Sequence, residues 1–164
     1  MLWELEVKKN AGGESIVEGS AQLRVVAWWS SGQNGIAQCD SAPNTIHFAS
    51  PPALGGMGSR WTPEDLLLGA VASSFTTTFR TLAENANFEH TDLQIEVEGA
   101  LKNAAAGYSF SEIRIRANLM IPDEAERACA VRLLNSARSL CLVLRSLAIP
   151  QSFEPLVALA APAA

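Results

Sequence analysis

Residues 60–79, RWTPEDLLLGAVASSFTTTF, decide the fold. The run opens with a helix-start signal. Thr62 suits the N-cap, Pro63 suits the first helical position where a missing N–H costs nothing, and Asp65 stands three residues after the cap. Leu67, Val71, Phe75 and Phe79 then recur every four residues, while Leu66, Leu68, Ala70 and Ala72 fill much of the remaining circumference. A helix this apolar is expected to be buried on several sides, ending near Asn85–Asn87. At about 100° per residue, Ser74, Thr77, Thr78 and Thr81 gather on one side, with Leu67 and Ala70 a turn or two before them. Buried hydroxyls need partners. A polar row on a central apolar helix therefore marks a candidate site.

Composition bounds the function. The chain has 164 residues, enough for one domain with a real core. Its formal net charge of −5 gives no basic surface for nucleic acid or an anionic membrane, so neither is expected as a partner. Charged residues are 18% and hydrophobic ones 48%, a surplus of apolar surface that points to a subunit interface. Three cysteines without close spacing argue against a disulfide framework or a zinc site. The N-terminus, MLWELEVKKN, places charges where a signal peptide needs an apolar stretch, and no run reaches the length of a membrane span. The expected location is cytoplasmic.

Outward from the helix, the rest of the chain reads as short strands and a second helix. Residues 1–20 read as an N-terminal extension, either a weak hairpin or a loose arm. Residues 21–29, 35–39 and 45–49 read as strands around a turn, SSGQNG. SPPALGGMGSR (50–60) is a loop whose glycines let backbone approach closely. Residues 92–101 alternate, and 110–121 alternate more cleanly, with Ile113, Ile115, Ala117, Leu119 and Ile121 opposite Glu112, Arg114, Arg116 and Asn118. Asp123, with Glu126 three residues on, caps a second helix running to about Leu147. A strand over 148–157, interrupted by Pro150 and Pro155, belongs at an edge, and 158–164 form a disordered tail. The order β-β-β-α-β-β-α-β is α+β, with one domain over 21–157.

The candidate chemistry is sparse. Cys39, Cys129 and Cys141 each read first as small hydrophobes; Cys141 alone lies where a thiol could face the polar row. The hydroxyls also have a plain role, bonding back to carbonyls one turn earlier. Ser74 as a nucleophile needs a base, and His47 and His90 have no triad spacing. Two histidines without matching ligands give no metal site. Glu64 complements the helix N-terminus, with Arg60 nearby in sequence. Trp28, Trp29 and Trp61 are expected in the core, at an interface, or as walls of an apolar pocket.

The run GGMGSRWTPEDLLLGAVASSF, the hairpin that follows and SARSLCLVLRSL resemble the OsmC and organic hydroperoxide resistance (Ohr) family over roughly residues 21–157. The resemblance implies an intertwined homodimer in which antiparallel sheets surround central helices. It also implies thiol-dependent reduction of organic hydroperoxides, with no cofactor. In that chemistry one cysteine attacks the peroxide and a second resolves the sulfenic acid as a disulfide. The attacking position is Ser74 here, the resolving position is Cys141, and the proline that usually follows the latter is Leu142. The activating arginine of a G-G-R-D-G turn corresponds to Gln33 in Ser31-Gly32-Gln33-Asn34-Gly35. Its acidic partner is kept as Glu64.

A serine hydroxyl is un-ionised at neutral pH and has no sulfenic state, and Gln33 supplies no cation. The two-cysteine cycle is therefore expected to be absent. What remains is a pocket for a small apolar or amphipathic molecule at the dimer interface, near Ser74, Glu64 and Cys141, lined by Trp61, Leu67, Ala70 and Thr78. Two alternatives stand beside it: Cys141 as a single active thiol or redox sensor, with Arg138 or Arg145 as the nearest cations to depress its pKa, and a structural dimer without a ligand.

Overall fold

A computed structural model describes residues 6–9, 15–18, 23–105 and 107–160. The chain divides into two compact units, 1–63 and 64–164, so the division falls inside the span expected as one domain. Residues 161–164, expected as part of a disordered tail, lie outside the described residues.

The regular structure described in the first unit is mostly strand. β1 (Glu6–Lys9) and β2 (Ser15–Glu18) pair antiparallel. β3 (Val25–Ser31), β4 (Asn34–Cys39) and β5 (Ile46–Ala49) form a separate antiparallel sheet in that order. β3 is exposed along nearly its whole length, and Trp28 and Trp29 are 52% and 76% exposed. The core placement open to Trp28 and Trp29 is therefore not what the chain adopts, since a three-stranded sheet has too little apolar cover to enclose an indole. After β5 the loop makes one 3-10 turn at Pro52–Leu54. A Cβ at Gly56 would overlap the carbonyl oxygen of Ser50, the close backbone approach expected of this loop. The Ala49 amide then donates to the Trp61 carbonyl at 2.9 Å, which fixes where the chain leaves this unit.

The second unit is α+β. α1 spans Pro63–Asn85, with proline at its first position as its fixed φ favours. Val71, Phe75, Phe79 and Ala83, one turn apart, are buried. The opposite side is not. Ser73, Thr77, Arg80, Thr81 and Glu84 are exposed, so burial on several sides does not hold within one chain. α1 closes in a Schellman turn. Asn87 takes the left-handed conformation at φ 49°, and the Phe88 amide reaches the Ala83 carbonyl at 2.9 Å.

β6 (Asp92–Ala104) and β7 (Gly107–Ile121) make a long antiparallel pair, and β8 (Gln151–Leu159) adds parallel to β7 at the edge. Pro155 is tolerated there because an edge strand can spare an amide. The strand runs two residues beyond its expected end at 157. On β7 Ile113, Ile115, Ala117, Leu119 and Ile121 are all buried. Its outer face holds Arg116 between Glu154 at 3.0 Å, Glu98 at 3.2 Å and Glu96 at 3.4 Å.

The expected second helix is two helices. Asp123 caps a 3-10 turn, accepting from the Ala125 amide at 2.9 Å, and α2 (Arg127–Leu140) follows. The chain breaks at Cys141, with φ −57° and ψ 114°, before α3 (Leu142–Ser146). Apolar periodicity continues through the break, so local sequence does not cause it. Tertiary contacts hold it instead: Leu144 is buried, and Gln151 Nε2 donates to the Leu144 carbonyl at 2.9 Å.

Candidate functional site

Two elements deliver the central pair. Ser74 sits mid-way along α1, one residue before buried Phe75, and is half-buried. Cys141 ends α2 and begins α3, and is fully buried. The extended ψ of Cys141 turns the chain there. Its Sγ–H donates to Ser74 Oγ at 3.2 Å across 67 residues of sequence. The two positions singled out by sequence are thus in direct contact.

Around them the hydroxyls satisfy themselves within the helix. Thr78 Oγ1 donates to the Ser74 carbonyl at 2.7 Å, Thr77 to the carbonyls of Ser73 and Ser74 at 3.1 Å each, and Thr81 to that of Thr77 at 3.1 Å. The three threonines of the row therefore have their donors placed without any ligand. Ser74 alone in the row meets a side chain from another element. Leu67 and Ala70 are half-buried, one to two turns before it.

Among the described residues, neither candidate cation is hydrogen-bonded to the thiol, which donates to Ser74. The Arg138 guanidinium lies 5.7 Å above the ring of Phe153, which packs against Phe75 at 5.6 Å. Arg145 is exposed, and its backbone amide, not its side chain, meets the Cys141 carbonyl at 3.0 Å.

Glu64 occupies the first turn of α1, where the helix N-terminus favours a negative charge. Its Oε2 is buried without a hydrogen-bond partner among the described residues. Ten residues separate Glu64 from Ser74, about 15 Å of helix, so the two are not neighbours along α1. Gln33 and Trp61 belong to the N-terminal unit. Gln33 lines a groove of about 240 Å³ there with Trp28, Trp29, Asn34, Phe48 and Ser50, and accepts from Ser50 Oγ at 3.3 Å. Trp61 is 55% exposed.

One thiol was passed over in the sequence. Cys39 ends β4 with its Sγ 3.4 Å from Ser41 Oγ, and the Ser41 hydrogen bond holds its pKa below the ordinary thiol value. The signal was the Cys-Asp-Ser spacing at a strand end, which puts a hydroxyl within reach of the sulfur. Among the described residues no group of three or more His, Cys, Asp or Glu could hold a metal ion, and no helix is long and apolar enough to cross a membrane.

A family model described as OsmC-like protein matches residues 56–155. A relative from Bacillus subtilis, the uncharacterized protein YmaD, is 25% identical over 122 residues, covering 73% of this chain and 81% of its own. The solved structure of an OsmC-like protein of unknown function from Vibrio cholerae superposes with a TM-score of 0.72 at 12% identity, over 84% of this chain and 100% of that one. An organic hydroperoxide resistance protein from Elizabethkingia anophelis gives 0.68 at 16% identity, over 88% and 100%. The organic hydroperoxide resistance protein OhrB of Bacillus subtilis gives 0.58 at 21% identity, over 83% and 97%. These structures share the α+β arrangement.

Proposed function

The chain belongs to the OsmC-like protein family, and from that premise we propose a homodimer that lacks the two-thiol peroxidase cycle and keeps its site as a pocket for a small apolar or amphipathic molecule. One observation supports this reading above the rest: the Cys141 thiol and the Ser74 hydroxyl touch at 3.2 Å. In the family's chemistry those two positions hold the attacking and resolving sulfurs. A hydroxyl at the first leaves Cys141 with no sulfenic acid to resolve. The apolar turn before Ser74, with Leu67 and Ala70 half-buried, is the wall against which an acyl or alkyl chain would rest.

The test is hydroperoxide consumption with a dithiol reductant, comparing wild type, Ser74→Cys and Cys141→Ser. Wild type is expected to be inert. Ser74→Cys is expected to gain turnover and to form a 74–141 disulfide under oxidant, seen by mass spectrometry. Turnover by wild type that Cys141→Ser abolishes would overturn the reading and make Cys141 the catalyst. Binding is read separately from tryptophan fluorescence with a medium-chain fatty acid as probe, where Ser74→Leu should remove the signal.

The second reading, a dimer with no ligand, is favoured by the hydroxyl row itself. Thr77, Thr78 and Thr81 all donate inside their own helix, so nothing about them asks for a bound molecule. A wild-type fluorescence titration that shows no response to the fatty acid would select it.

A further inference from the structure

The C-terminal end of α1 holds a cluster that the proposed pocket does not use. Beyond the left-handed Asn87, the Phe88 amide donates to the Ala83 carbonyl at 2.9 Å and the Asn87 amide to the Glu84 carbonyl at 3.1 Å. The first of these bonds is made by Phe88 itself. Its ring meets Phe79 edge-on at 6.5 Å, and both rings are buried, at 7% and 0% exposure. His90 completes the cluster. Its imidazole lies nearly parallel to the Phe88 ring, at 6.3 Å and 12°, and edge-on to Phe79 at 5.4 Å and 88°. The chain then leaves through Thr91, whose amide and hydroxyl both donate to the Met120 carbonyl of β7, at 2.9 and 3.3 Å. The closing turn of α1 is thus clamped between a helix, a strand and one ionisable ring.

We propose that His90 makes this end of α1 a pH-sensitive latch, closed around the neutral imidazole and released when the ring takes up a proton. The physical grounds are solvation and charge. A proton on His90 places a cation against two buried aromatic rings, within the field of Arg80 of α1. Arg80 is itself paired to Glu84 at 2.8 Å, which tempers its repulsion without removing it. Asp92, at the start of β6, pulls the other way, and Glu89 is an exposed neighbour in the loop. The balance favours the neutral form. Burial first, and Arg80 second, hold the His90 pKa below the ordinary value of 6.5, with Asp92 and a hydrogen bond to the Phe88 backbone opposing.

The direction in pH follows. Above about 6.5 the ring is neutral whether the latch is open or closed, and the closed form has its full stability. As pH falls below that value the open form binds the proton first, so closure weakens until the closed form protonates as well. The effect belongs to the last turn of α1 and to residues 85–91, because Phe79 and the helix before it remain anchored in the core.

Amide hydrogen exchange on the full chain, corrected for intrinsic chemistry, tests this at pH 7.5 and pH 5. The Asn87 and Phe88 amides are expected to open several-fold more at pH 5, while the β7 amides of Ile115 and Leu119 change no more than the global stability requires. His90→Gln and His90→Phe, one keeping a polar amide and one keeping the ring, should each lose the pH response; His47→Gln should keep it. An NMR titration of wild type should place the His90 midpoint below the ordinary value of 6.5. Equal protection at the two pH values, or a pH response that survives both His90 variants, would overturn the proposal.

Discussion

Ser74 Oγ accepts a hydrogen bond from a buried thiol, a contact whose net contribution to stability is about 0.5–1.5 kcal/mol. Chemically the same contact separates a redox pair from an inert one, because sulfur ionises and oxidises under conditions that leave a hydroxyl untouched. The thiols of this chain should differ just as sharply in reactivity. Cys141 is fully buried, whereas Cys39 is half-buried and its pKa is lowered by the Ser41 hydroxyl. In native protein at pH 7.5, iodoacetamide should modify Cys39 well before Cys141, and Ser41→Ala should slow the Cys39 reaction by lowering its thiolate fraction. Peptide mass spectrometry over a time course reads both. An unchanged rate in Ser41→Ala would mean that the hydrogen bond does not tune this thiol.

At the scale of elements, the break between α2 and α3 is the feature on which the pair depends. Cys141 has φ −57° and ψ 114°, the extended region that a residue preceding proline is forced to occupy. Leu142 is the first residue of α3, where a missing N–H and a φ near −65° cost little. Leu142→Pro should therefore leave stability within about 1 kcal/mol of wild type, with a small gain from a stiffer unfolded chain. Proline at Leu134, in the interior of α2, should instead cost about 3 kcal/mol or more, with an added loss of buried packing. Urea titration followed by circular dichroism distinguishes the two. Severe destabilisation by Leu142→Pro would show that the geometry at the break differs from the one described.

At the scale of the whole molecule, apolar side chains remain uncovered in a single chain. Leu23, Val25, Trp28 and Trp29 are exposed in the N-terminal unit, and Leu140, Leu142 and Leu156 in the C-terminal one. A stable homodimer buries about 1,200–2,000 Å² in total, which is the scale of cover such side chains ask for. Sedimentation equilibrium at micromolar concentration should give about twice the chain mass of 17.5 kDa. A monomer would count against the homodimer and against any pocket formed at its interface. The charged outer face of the β6-β7-β8 sheet is a different kind of surface. Arg114 and Arg116 on the central strand are flanked by Glu96, Glu98, Glu112 and Glu154, so the face is laced with exposed pairs and contributes little to stability.

Sequence by itself determined the elements whose signals are local. Proline at the helix start, the four-residue apolar spacing of Val71, Phe75 and Phe79, and the two-residue alternation of Ile113 to Ile121 each follow from backbone geometry that neighbours in sequence impose. The resemblance pointed to positions 74 and 141, but spacing could not say that they meet. Contact across 67 residues is set by how α1 and α2 share one core, and no periodicity encodes that. The same holds for the break at Cys141, where local sequence favours helix and tertiary packing of Leu144 with Gln151 wins. It holds too for Trp28 and Trp29, for which core, interface and pocket wall were all open in the sequence and which their three-stranded sheet leaves exposed. Short-range order was written in the chain, and long-range contact was decided by which surfaces had partners to cover them.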